Sequence, residues 1–326
     1  MYDITVIGPA VIDILASPVG PGMFEGDARY LDKIRLSFGG DALNESAVLA
    51  RLGKKVQLIS KVGEDEAGRK ILEYLRENGI STDSIRVEAG LDTAINIVLI
   101  DKDGSRFILG AADSSPRRLE PEDVDVQLDK GETAGIVCFA SMFISPRFTI
   151  EAMKTLFSRI KAEGRTLIVD MTRTKNGETL EDLRELLPFM DVFVPNDEEI
   201  CSLTGDDDPV RNAARLVESG VKTAVVKAGA RGCIVATVDG IVEIPSVKGV
   251  QCVDTTGAGD TFAAAFACGL SDGLPVTECA RLGCAAASCS IEQIGATDGV
   301  RSLEQVLQRM KILSKDSGGI FQYPSQ

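Results

Sequence analysis

Short runs of β-branched and aromatic residues alternate along this chain with stretches whose apolar positions recur every three or four residues. The runs "ITVIG" (4–8), "VQLISKVG" (56–63), "GIVCFA" (135–140), "TLIVDM" (166–171), "DVFVPN" (191–196) and "TAVVKAG" (223–229) predict strands. The helical period predicts helices over 41–52, 66–78, 148–163, 197–204, 209–219, 258–270, 276–291 and 302–313. Strands that alternate with helices need crossover connections, and crossovers cover both faces of a parallel sheet. The expected fold class is therefore α/β: a three-layer, doubly wound, mostly parallel sheet. Ligands of such sheets sit at the carboxyl ends of the strands, so the residues that follow each strand are the ones to inspect.

Two segments break the alternation. Residues 14–38 carry Gly20, Pro21, Gly22 and Gly26 and then the polar-alternating "ARYLDKIRLSFGG". Residues 91–110, "LDTAINIVLIDKDGSRFILG", read as a hairpin around the turn "DKDG". Antiparallel pieces inserted in a parallel framework predict a small second sheet, for which a lid is one use and edge elaboration another. The expected division is a main α/β domain over 1–13, 39–90 and 111–313, a β lid over 14–38 and 91–110, and a weakly ordered tail over 314–326.

The charge balance narrows the function. With 35 Lys and Arg against 49 Asp and Glu, the net charge is −14, which argues against nucleic acid as a partner. "MYDITVIGPAVID" lacks a basic region before an apolar core and reads as a first strand rather than a signal peptide. No apolar run approaches the roughly 20 residues of a membrane span. The expectation is a cytoplasmic protein with no membrane partner. Its eight cysteines form no C-x-x-C pair and lie mostly in apolar runs, which predicts buried free thiols. There is no histidine, so a general base has to be a carboxylate, lysine, cysteine or tyrosine.

The stretch "VDTTGAGDTFAAAFACGL" (253–270) sets Asp254 and Asp260 around Gly257, Ala258 and Gly259 and runs directly into a helix. A helix N-terminus presents unpaired N–H groups and partial positive charge, and small residues let an anion approach them. The loop is a plausible phosphate cradle, although a capped helix start reads the same way. The strand-like "VQCV" (250–253) would deliver it to the carboxyl edge of the sheet.

"DTTGAGDTFAAAF" resembles the carboxyl-terminal signature of the ribokinase-like (PfkB) family of sugar and nucleoside kinases. "GGDALNESAVLARLG" (39–53) resembles the family's amino-terminal signature, and "KVGEDEAGRKILEYLRENGI" (61–80) the stretch that follows it. "VPNDEE" (194–199) is similar to its N-x-x-E element, and "VVKAGARGC" (225–233) to its nucleotide-side glycine loop. The matches occur in the family's order, from residue 3 to about 300.

The resemblance implies a ribokinase-like fold and an ATP-dependent sugar kinase, with these roles. Asp260 is the catalytic base, and the N–H groups of Gly257, Ala258 and Gly259 form the anion hole. Asp13, Gly39, Gly40, Asp41 and Asn44 bind the sugar. Asn196, Lys227, Gly229 and Gly232 bind ATP, and Glu199 holds Mg²⁺ through water. A monovalent cation, K⁺, is expected on backbone oxygens and a carboxylate around Asp254 and Thr256, with carbonyls near Ser290, Gln293 and Gly295. Read alone, Asn196 is also a good helix N-cap. Pairing of the lid strands between two subunits would give a homodimer.

Departures from the family pattern bear on the substrate. Thr172 stands in "VDMTRTKNG" (169–177), where many sugar kinases have asparagine two residues after the aspartate, here Asp170; Arg173 or Lys175 could face phosphate or substrate. In "FASMFISP" (139–146), Ser141 or Met142 stands where ribose-type relatives place a carboxylate. Both count against ribose itself. A nucleoside kinase would draw on Phe24, Tyr30 or Phe107 for stacking. A phosphosugar kinase would need further cations, for which Arg35 and Arg106 are candidates. A catalytically idle sugar-binding protein is opposed by the intact "GAGD". "GEDEAGRK" (63–70) lacks the Lys-Ser/Thr of a Walker loop, and "GPAVID" lacks the second glycine of a dinucleotide fingerprint.

Overall fold

A computed structural model describes residues 1–316 apart from Phe24, Gly26, Asp103 and Gly104. The tip of the "DKDG" turn, the Phe24 candidate and the end of the tail therefore lie outside the described residues. In chain order the strands are β1 (Ile4–Ile7), β2 (Val11–Val19), β3 (Lys33–Gly39), β4 (Val56–Gly63), β5 (Ile85–Glu88), β6 (Ile95–Asp101) and β7 (Arg106–Leu109). There follow β8 (Ile136–Met142), β9 (Thr166–Met171), β10 (Val192–Phe193), β11 (Thr223–Lys227), β12 (Cys233–Thr237) and β13 (Gly240–Ile244).

The large sheet has nine strands in the order β13-β12-β11-β10-β9-β8-β1-β4-β5. From β11 to β5 every neighbouring pair is parallel, and only β12 and β13 run antiparallel at one edge. One core packs the helices Asp41–Arg51, Glu66–Glu77, Ala258–Ser271 and Val276–Ser290 on one face. The other packs Pro121–Asp129, Ile150–Ala162, Asp197–Thr204 and Pro209–Glu218 on the opposite face. This is the expected three-layer α/β arrangement. The small sheet, in the order β3-β2-β6-β7, stands apart from the large one. Its β6–β7 hairpin is antiparallel, while β2 and β6 pair in parallel.

Several elements differ from the periodicity. The run 191–196 is a continuous strand only over Val192–Phe193, and pairing resumes at Asn196, which bridges Lys227 in parallel while capping the next helix. The run 223–229 ends at Lys227, where Gly229 turns the chain at φ +52°. "VQCV" is not a strand; the 253–256 loop is instead held by the Val253 and Asp254 N–H groups on the Ile291 carbonyl, at 2.7 and 3.2 Å. The β12–β13 hairpin, turned at Asp239-Gly240, and the helix Pro121–Asp129 extend the expected set. β2 starts at Val11, so Asp13 lies within the small sheet. All eight cysteines are free, and six are buried. Among the described residues, no helix is long and apolar enough to cross a membrane.

Candidate functional site

The carboxyl ends of β1, β8, β9 and β11 meet the first turns of the helices Asp41–Arg51, Asp197–Thr204 and Ala258–Ser271. Asp260 is in the first turn of the last helix, where the macrodipole favours an anion. Its Oδ2 accepts a hydrogen bond from Asn44 Nδ2 at 2.7 Å, which joins the two signature helices. Burial, reinforced by the nearby Asp41 charge, raises the Asp260 pKa to about 8; the Asn44 bond and Lys227 oppose the shift. A buried carboxyl tuned toward neutrality is what a general base requires in a chain without histidine.

Gly257 occupies the left-handed region at φ +70°, and a Cβ there would lie 2.3 Å from the Ala296 carbonyl oxygen. The N–H groups of Gly257 and Gly259 have no hydrogen-bond partner among the described residues, whereas the Ala258 N–H turns back to the Thr255 carbonyl at 3.3 Å. A Cβ on Gly259 would lie 3.4 Å from Lys227 Nζ, so the ammonium faces the cradle. Lys227 itself is buried and pairs with Asp170 at 2.6 Å. Burial works against its charge, but Asp170 and Glu199 outweigh this and hold it cationic. Asp170 lies within β9, one residue before its end.

On the other side of Asp260, Asp41 accepts a hydrogen bond from the Ser141 hydroxyl. Asp13 Oδ1 accepts from Asn96 Nδ2 at 2.9 Å, and burial raises its pKa. Gly39 leaves room for this group: a Cβ there would meet Asp13 Oδ2 at 2.0 Å. A Cβ on Gly40, at φ +88°, would lie 2.7 Å from the Pro9 carbonyl oxygen. The first use of the diglycine is thus to seat the protein's own carboxylate and backbone. Met142 is fully buried in the core, which leaves Ser141 as the polar group of that segment.

Asn196 and Glu199 form a reciprocal cap, with Glu199 N–H on Asn196 Oδ1 at 2.8 Å and Asn196 N–H on Glu199 Oε2 at 2.7 Å. Burial, with the Asp170 charge, raises the Glu199 pKa to about 7. Asn196, Lys227, Gly229 and Gly232 line a cavity of about 490 Å³ together with Thr255, Ala258 and Gly259. That volume suits a nucleotide-sized ligand. Asp254 Oδ1 accepts from the Thr256 N–H and hydroxyl at 2.9 and 2.6 Å, and its Oδ2 from the Gly295 N–H at 3.0 Å. The Gln293 N–H donates to the Ser290 carbonyl at 3.2 Å. Among the described residues no three acidic or cysteine side chains gather as a metal cluster.

Two groups of the site, Glu45 and Asn96, carry little sequence signal. Glu45, next to Asn44, is fully buried with Oε2 unpartnered, and its pKa is pushed well above the ordinary range by burial and the surrounding acids. In sequence it is an ordinary helix acid. Asn96 reaches the site only through the fold.

Comparison with known proteins shows the family. The family model described as pfkB family carbohydrate kinase matches residues 1–303. An uncharacterised sugar kinase of Archaeoglobus fulgidus is 33% identical over 77% of this chain and 97% of its own length. The ribokinase of Arabidopsis thaliana is 30% identical over 84% of this chain and 72% of its own. A solved structure of Arabidopsis ribokinase with ribose and ATP superposes with a TM-score of 0.79 at 27% identity, covering 95% of this chain and 99% of that one. A putative ribokinase II of E. coli shares the fold at a TM-score of 0.81 and 23% identity. This chain belongs to the PfkB family of carbohydrate kinases, which are phosphotransferases with an alcohol group as acceptor.

Proposed function

We propose that this protein transfers the γ-phosphoryl group of ATP to a hydroxyl of a small sugar, with Asp260 as the general base. The observation that carries this reading is the position of Asp260. It lies between Asn44, near Asp41, and the cavity lined by Ala258 and Gly259, and Asp13, Asp41 and Asn44 suit the hydroxyls of a polyol. The acceptor hydroxyl attacks the γ-phosphorus and its proton passes to Asp260. The new O–P bond forms as the bond to the β-phosphate oxygen breaks, and ADP leaves. In a loose transition state the proton departs late, so a carboxylate is a sufficient base. The free N–H groups of Gly257 and Gly259 and the Lys227 ammonium are placed to receive the charge of the transferring group.

The Arabidopsis relative binds ribose and ATP. ATP fits the cavity here, with Gly229 and Gly232 beside the adenosine and Asn196 and Lys227 toward the phosphates. Glu199 suits a Mg²⁺ ion held through water, since one oxygen serves the helix cap and the other remains free. That ion would neutralise charge on the phosphates. The replacement of an acidic residue by Ser141, already engaged with Asp41, favours a sugar other than ribose. The outer face of the small sheet exposes Ile34, Leu36, Ile97, Phe107 and Leu109, and a second copy of the chain would cover it.

A panel of pentoses, ketohexoses, keto-deoxy acids and nucleosides, with ADP detection, tests the reading. Asp260→Asn is expected to lower turnover about 10²–10⁴-fold while sugar binding, measured by calorimetry, is largely retained. Wild-type turnover in that variant would refute the assignment.

A further inference from the structure

The tripeptide "SPR" occurs twice in the chain, as Ser115-Pro116-Arg117 after β7 and as Ser145-Pro146-Arg147 after β8, and the first copy continues into Arg118. Both serines are buried. Ser145 Oγ donates to the Leu119 carbonyl at 2.7 Å and accepts the Arg147 N–H at 3.2 Å, which ties the two segments together. A proline fixes φ just before Arg117 and just before Arg147, so both side chains leave a stiff backbone. The fold thereby builds a second cavity, of about 330 Å³, lined by Ala112, Asp113, Arg117, Arg118, Pro146 and Arg147. It shares no lining residue with the nucleotide-sized cavity.

The charge of this cavity is unbalanced. Arg118 is engaged with Asp113, donating from Nε and Nη2 to the two carboxylate oxygens at 2.5 Å each. Among the described residues, Arg117 and Arg147 form no ion pair and donate no side-chain hydrogen bond. The nearby Glu88 and Glu120 are held by the buried Lys61, at 3.4 and 3.2 Å. Three guanidiniums against one carboxylate leave two positive charges, in a chain whose net charge is −14. A phosphate monoester carries about −1.5 to −2 at neutral pH, and its oxygens suit the planar fork of arginine. A carboxylate would leave one charge unmatched. Arg106, a candidate cation for a second phosphate in the sequence, donates to Thr256 Oγ1 at 2.6 Å and Thr255 Oγ1 at 3.1 Å; Arg117 and Arg147 have no such partner.

The cavity also stands where the chain enters and leaves the small sheet. The Ser115 N–H donates to the Asp92 carbonyl at 3.0 Å, and the Ala94 N–H to Ser115 Oγ at 3.2 Å. The segment before β6 and the segment after β7 therefore cross two residues from Arg117. We propose that the arginine cavity is a second ligand site, for the phosphate group of a phosphate monoester, and that its occupant joins the hinge of the small sheet, at Arg117, to the main domain, at Arg147. The phosphate belongs either to a phosphorylated acceptor or to a separate sugar phosphate, and the two sources share this chemistry.

Calorimetric titration with a pentose 5-phosphate and with a hexose 6-phosphate, ADP being present at saturation to fill the nucleotide cavity, reads the site without turnover. Arg147→Gln and Arg117→Gln are each expected to weaken binding at least about tenfold, the loss of one charge-assisted contact. The unphosphorylated sugars should bind wild type and variants alike, and the melting temperature should not move, since neither arginine has a partner to lose. In hydrogen exchange, the sugar phosphate is expected to slow the Ala94 and Ser115 amides of the wild type but not those of the double variant. ADP formation separates the sources. A phosphorylated acceptor yields ADP, and its KM alone rises in Arg147→Gln; a separate ligand yields none and still binds when a neutral acceptor is saturating. Equal affinity in wild type and double variant, no binding at millimolar concentration, or unchanged exchange at Ala94 and Ser115 overturns the proposal. The binding and exchange results do not depend on turnover, so a chain that phosphorylated no acceptor would refute the kinase reading and leave this test intact.

Discussion

Burial and the Asp41 charge raise the Asp260 pKa to about 8, so its carboxyl holds a proton more readily than an ordinary aspartate. A general base works only when deprotonated, so kcat/KM is expected to fall as pH drops below about 8. Asp41→Asn removes the largest charge that raises this pKa, and the acid limb of the pH profile should move to lower pH. An unmoved limb in that variant would separate Asp260 from the titration. The candidate base was legible before the fold: a chain without histidine carries an acid in a glycine-rich helix start. Its pKa was not legible, since it depends on Asp41, Asn44 and Lys227 arriving from other elements. Glu45 makes the same point. Nothing in "NESAVLA" distinguishes it from a solvated helix acid, yet the first signature helix is buried over Ala42–Leu49 and encloses it.

The helix Ala258–Ser271 owes its cradle to the residue before it. Gly257→Ala would force a left-handed φ on a residue with a Cβ, costing about 1–2 kcal/mol, and would drive that Cβ into Ala296. Gly249→Ala is the matched control, with φ +74° and open space around it. Gly257→Ala is expected to lower both the melting temperature and kcat, while Gly249→Ala lowers the melting temperature slightly and leaves kcat intact. Equal kcat in the two variants would remove Gly257 from the cradle. Long periodic helices and the strands β8 and β9 were readable because burial on both faces leaves the apolar runs Ile136–Ala140 and Leu167–Val169. The extent of β10 and the lack of a strand at "VQCV" were not. In short segments the hydrogen bonding of neighbours, such as the Ile291 carbonyl, decides whether a ladder forms.

For the whole molecule, the exposed apolar face of the small sheet sets the expected assembly. Ile97→Lys places a charge at its centre, and sedimentation equilibrium should show a dimer for the wild type and a monomer for the variant. A monomeric wild type would leave that face without the proposed partner. The α/β class and the family followed from periodicity and from the order of the motifs, because these are properties of consecutive residues. The tertiary structure alone brought Asn44 to Asp260, paired Lys227 with Asp170 and laid Arg106 on Thr255 and Thr256. Those contacts join residues far apart in the chain, and parallel crossovers gather them at one sheet edge. There burial, which no local pattern records, sets their charge.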